Sequence, residues 1–246
     1  MLPGTPPSVA EANAPLREGS AGWPVFALQG ALGCAGIHIA KDGGFGPKTK
    51  KAVEKFQRGE KIAVDGVVGP MTQRHLVSYV CRLIEHEVPD LPSGLAAAMA
   101  AGEGGNMLAA VNWSVPGGVD CGLFQLRVYT PYGEDAMRLA FSPLRAGAKA
   151  MKDFGARRAS FLKRPWVNGN VARAGRCALL AHNWPAGADA YSRYGHVSCT
   201  TCLASWVPVG VKFPDGHPVR TQEEWAQFYA MSGPHGSGPI ASAVKW

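Results

Sequence analysis

No stretch of this chain approaches the ~18 consecutive apolar residues that a bilayer-crossing helix needs, which excludes a membrane span from the expectations. Met1 to Ser20 lacks a basic patch followed by an apolar run; it is rich in Pro, Ala and Gly and does not read as a secretory leader. Charge is scarce, at 17% against 46% hydrophobic residues, so a disordered polyelectrolyte is excluded and a packed core predicted. Six cysteines in 246 residues are too sparse for a disulfide framework. No helix-turn-helix, zinc-finger or aromatic RNA-binding motif occurs, so nucleic acid is not an expected partner. The HExxH pattern of zinc peptidases is missing as well.

The charge that is present is uneven. The net value is +7, and Arg145 to Arg176 holds nine Lys or Arg against one acid, Asp153. Such a segment suits a polyanion, or is an ordinary solvated face. Cys199 and Cys202, with His196 three residues earlier, have the spacing of two zinc ligands. No second CxxC or HxxxH completes a four-coordinate site, so no metal or other cofactor is expected; a local disulfide or free thiols remain.

The chain repeats itself between residues 24 and 80. Asp42 to Thr49 and Asp65 to Thr72 both read D-G-x-x-G-P-x-T. Glycines allow tight turns and proline suits the first helical position, so each motif predicts a turn followed by a helix start. Val25, Leu28 and Leu32 give an apolar stripe after Pro24; Val53 and Phe56 give a second, and Leu76, Val80, Leu83 and Ile84 a third. Gln29 and Gln57 stand at equivalent places ahead of the two turns. A bundle of three short helices is predicted, with a domain at residues 17–80 and a linker at 81–92.

Carried by the paired turns, residues Arg17 to Tyr79 resemble a peptidoglycan-binding domain of the three-helix type. The resemblance implies bacterial peptidoglycan as partner, and the basic surface would then meet the anionic envelope. The glycines and prolines themselves read as scaffold.

A different pattern begins at residue 93. Leu95 to Ala101 predicts an Ala-rich apolar helix ending in Gly102-Glu103-Gly104-Gly105. A carboxyl at the end of a buried helix is costly to ionise and suits a general acid; the plainer alternative is that Glu103 ends a surface helix. Three blocks follow: Gly122-Leu123-Phe124-Gln125, then Pro143 with Ala146-Gly147-Ala148, then Ala181-His182-Asn183-Trp184. In this order, over Leu91 to Tyr194, the blocks resemble the lytic transglycosylase family, related to goose-type lysozymes. Two departures stand out: Gly104 replaces the usual Ser after the catalytic Glu, and His182 replaces a Tyr.

That resemblance implies cleavage of the β-1,4 bond between N-acetylmuramic acid and N-acetylglucosamine. Glu103 would protonate the leaving oxygen, and as carboxylate take the C6 hydroxyl proton, giving a 1,6-anhydro sugar. Asp120 is either the second carboxylate of a hydrolytic muramidase, which needs a separation of ~5–5.5 or ~6.5–9.5 Å, or a loop anchor. Gln125 and Asn183 are expected on sugar or N-acetyl groups. His182 either orients Glu103 or fills a helix face. Tyr191, like Trp113 and Tyr194, could pack on a sugar ring, although aromatics are more often core.

Residues 203–246 carry a hairpin signal at Pro214-Asp215-Gly216, a helix start at Thr221, and a loosely ordered end. The expected fold is mainly α: a peptidoglycan-binding bundle, then a lysozyme-like, helix-dominated α+β catalytic domain over 93–246 with a C-terminal extension. Together these features resemble a modular, monomeric bacteriophage endolysin, with a virion-borne lysin or a bacterial wall-remodelling enzyme as alternatives. An endolysin passes from host cytoplasm to the periplasm and wall through a separate pore protein. Two competing classes are a non-catalytic wall-binding protein and a zinc peptidase or amidase attached to the same binding module.

Overall fold

The computed structural model describes residues 2–88, 94–113 and 116–163, together with positions 169, 171, 174 and 178. It is mainly helical, with a small three-stranded sheet, a helix-dominated α+β arrangement. A short helix α1, Val9–Asn13, opens on a capping box between Ser8 and Glu11. Three helices then form the bundle: α2, Trp23–Cys34; α3, Pro47–Gly59; and α4, Pro70–Glu87. Each carries proline in its first turn, as the repeat predicts for α3 and α4 and Pro24 for α2.

Helix α2 is the core element. Val25, Ala27, Leu28, Ala31 and Leu32 have no exposed surface, and Trp23 and Phe26 are also buried. Burying each large apolar side chain stabilises the fold by ~1.5–3 kcal/mol. Helices α3 and α4 are one-sided around it: Val53 and Phe56 from α3, and Leu76, Val80 and Ile84 from α4, face inward. Helix α4 runs to Glu87, past the expected domain end at residue 80, and the stripe of Leu76, Val80, Leu83 and Ile84 lies within it.

The remaining elements are α5, Leu95–Gly104; β1, Val111–Asn112; β2, Gly118–Cys121; β3, Leu126–Tyr129; α6, Glu134–Ala140; and α7, Pro143–Leu162. The strands pair antiparallel in sequence order, with Asn112 opposite Asp120 and Asp120 opposite Arg127. Val119 and Cys121 of β2 and Val128 of β3 face inward, while Arg127 and Tyr129 are exposed, the period-two alternation of a half-buried sheet.

The chain divides into two compact units, Met1–Pro89 with Glu103–Ala150, and Asp90–Gly102 with Met151–Trp246. In the first, Trp23 stacks on Phe141 at 5.4 Å between ring centroids. Gly147 of α7 lies where a Cβ would collide with Ile84 and come within 2.7 Å of Phe124, so any larger residue there makes those side chains shift. In the second, Leu95, Ala96, Met99, Ala100, Met151 and Phe154 are buried.

Candidate functional site

Two matched brackets hold the repeat turns. In the first, Gln29 is 2% exposed and donates its amide to Asp42 Oδ1 at 2.8 Å, Gly44 O at 3.1 Å and Thr49 Oγ1 at 3.3 Å. Its Oε1 accepts from Gly43 N at 2.9 Å. In the second, Gln57 donates to Asp65 Oδ1, Val67 O and Thr72 Oγ1 at 2.8, 2.9 and 3.2 Å, and accepts from Gly66 N at 2.9 Å. The turn glycines Gly43 and Gly66 have φ of 75° and 69°, the left-handed region that favours glycine. Backbone N–H donation from Gly44, then the Gln29 amide, holds the Asp42 carboxyl below its ordinary pKa; Val67 and Gln57 do the same for Asp65.

One backbone segment runs past both turns. Leu16 exchanges hydrogen bonds with Val68, Phe45 N donates to Ser20 O, and Gly22 N donates to Gly43 O. Beyond the second turn, Glu60 accepts from Tyr79 Oη at 2.7 Å and pairs with His75 Nδ1 at 2.8 Å. The hydrogen bonds from His75 and then Tyr79 lower the Glu60 pKa.

The residues singled out after position 93 are placed as follows. Glu103 is half-buried in the last turn of α5, and its Oε1 is buried. A Cβ on Gly104 would lie 2.6 Å from Leu123 O, so the serine usual in transglycosylases has no room there. This approach sets the end of α5 against the β2–β3 turn that carries Gln125. The Gln125 side chain donates to Ala110 O at 3.0 Å and Gly122 O at 2.9 Å, and its backbone has φ 46°. Its amide therefore holds a strained turn instead of facing outward. Asp120 is bidentate with Arg127, at 2.6 and 3.0 Å, an arrangement that pins β2 to β3. Trp113 is 43% exposed and its Nε1 donates to Pro7 O at 3.1 Å. His182, Asn183, Tyr191, Tyr194, Cys199 and Cys202, and the whole of 203–246, lie outside the described residues.

Sequence reasoning noted the equivalence of Gln29 and Gln57 but not their task; the signal was a Gln ahead of each Asp-Gly. Arg127 was missed, because strand register is needed to see that it faces Asp120.

Residues 22–76 match the family described as "Putative peptidoglycan binding domain". The chain is similar to the zinc D-Ala-D-Ala carboxypeptidase of Streptomyces albus G, 48% identical over 61 residues, covering 23% of this chain and 24% of that protein. It is also similar to the N-acetylmuramoyl-L-alanine amidase CwlL of Bacillus licheniformis, 39% identical over 66 residues, or 26% of this chain and 18% of that one. This chain thus spans about a quarter or less of the length of these relatives.

These relatives correct the expectation of a lytic transglycosylase, muramidase or other lysozyme-type glycosidase, and of a phage endolysin built on one. One is named a carboxypeptidase and the other an amidase; neither is named for cutting glycan. The ordered blocks misled for a physical reason. Gly104, Gly122 and Gly147 sit where a Cβ would crowd Leu123, Ala140 and Ile84, and the Gln125 amide is taken up by Ala110 O and Gly122 O. Glycine at crowded helix ends and turns is a general packing solution and carries no chemistry of its own.

Proposed function

We propose that this protein binds peptidoglycan through the bundle of α2, α3 and α4, and acts there as a hydrolase of amide bonds in the wall. The single observation carrying the first part is the doubled Gln–Asp–Thr bracket, which lies within the stretch matched by the peptidoglycan-binding family. The bracket fixes both turns without using a ligand, so the face between them is preorganised before binding. The names of the two relatives support the second part.

Among the described residues no group of three or more His, Cys, Asp or Glu is placed to hold a metal such as the zinc in the first relative's name. Also among the described residues, no helix is long and apolar enough to cross a membrane.

The test is cosedimentation of the full chain with purified sacculi, followed by assay of the supernatant for new amino groups. Pelleting with amine release is expected. A chain that stays in solution, or that pellets and releases only sugar ends, contradicts the proposal.

A further inference from the structure

A cavity of about 310 Å³ opens in the first unit, small for a ligand site (~300–1,000 Å³) but sufficient for a short peptide end. Gly30, Gly33 and Cys34 of α2 form one wall, Leu83 of α4 and Pro143 and Leu144 of α7 another. His38, Lys41 and Arg145 line it as well and are exposed.

Two features show that this space is built. Glycine inside a helix costs ~0.5–1 kcal/mol relative to alanine, and α2 carries two, one turn apart, on the cavity side. A Cβ on Gly30 would lie 3.2 Å from Pro143 Cδ, so alanine there would press on the start of α7. Charge is the second feature. Neither Lys41 nor Arg145 has a carboxylate partner among the described residues, and both line this largely apolar space. One acid lies close by: burial, and then Glu87, push the Cys34 thiol up to about 11, while Lys41 acts in the opposite sense.

The occupant follows from this pairing. Gly30, Gly33, Leu83, Pro143 and Leu144 offer no side-chain hydrogen-bonding group, and the Ser142 hydroxyl already donates to Arg138 O, so most hydroxyls of a sugar would be left unpaired there. Small aliphatic side chains fit this space, and a terminal carboxylate meets the two cations. We propose that this cavity binds the carboxylate end of a short peptide with small side chains, as carried by peptidoglycan stem peptides, with Lys41 and Arg145 receiving the carboxylate. The source of the peptide, though not the chemistry of the cavity, rests on the wall-binding function proposed above.

The probe is an N-acetylated tripeptide ending in D-alanyl-D-alanine, compared with its C-terminal amide, titrated into the full chain by calorimetry. The free acid is expected to bind about tenfold or more tightly than the amide. Lys41→Ala with Arg145→Ala should remove that difference, and Gly33→Leu should fill the cavity and abolish binding of both. The first pair changes exposed side chains only, so it keeps the test valid should Gly33→Leu misfold. Equal affinity for acid and amide, or unchanged binding by the double variant, overturns the proposal. Sacculus pelleting is read separately. A chain that pellets but ignores the tripeptide refutes the cavity alone, whereas one that takes up the tripeptide but does not pellet supports the cavity and refutes the wall.

Discussion

Gln57 and Asp65 grip each other across the second turn: the amide donates to the carboxylate at 2.8 Å, and Gln57 Oε1 accepts from Asp65 N at 3.1 Å. Gln29 and Asp42 share the first of these bonds, at the same 2.8 Å. The repeat is therefore one of hydrogen-bond circuits as well as of letters.

Because Gln57 is 1% exposed, replacing it leaves buried partners unpaired. Gln57→Leu is expected to destabilise the fold by ~2–4 kcal/mol, read from denaturant unfolding of the full chain. A loss below ~0.5 kcal/mol would show that water replaces the bracket at little cost.

Acid should loosen both turns. The Asp42 and Asp65 carboxyls sit below their ordinary 3.8, and Glu60 below 4.5. Groups with depressed folded pKa values contribute stability that is complete above the ordinary values and lost as pH falls through the folded ones. Stability should thus be flat from pH 7 to about 5 with respect to these groups and decline below about 4. Asp65→Asn should shallow that decline; an unchanged acid limb contradicts the assignment.

Gly104→Ser sets a Cβ 2.6 Å from Leu123 O. The expected cost is ~1–3 kcal/mol, because backbone must move to admit it. A neutral or stabilising result in a thermal melt would mean that the end of α5 is free to shift.

Thiol chemistry offers a check on packing. Burial pushes Cys81 and Cys121 up to about 12, so neither should be alkylated at neutral pH until the chain unfolds. Peptide mapping by mass spectrometry reads this site by site. Rapid labelling of Cys81 in the native protein would contradict the burial of that face of α4.

Much of the bundle was legible because its signals are local. Proline at each helix start, glycine in each turn and stripes such as Val25, Leu28 and Leu32 need no knowledge of distant residues. The end of α4 was legible only in part: Leu83 and Ile84 extend the stripe, but the polar Glu85, His86 and Glu87 that complete the helix carry no apolar signal to separate them from a linker. Around Glu103 the difficulty was greater. Gly104 with Leu123, and Asp120 with Arg127, are long-range pairings set by backbone approach and strand register, so residue types that look chemical in order along the chain are held by structure.

Peptidoglycan hydrolysis at an amide bond is tested most directly by mass spectrometry of purified sacculi digested with the full chain. Fragments bearing newly freed amino groups, with glycan strands uncut, are the predicted result. Shortened glycan carrying new reducing or anhydro ends, without any freed amine, would contradict it.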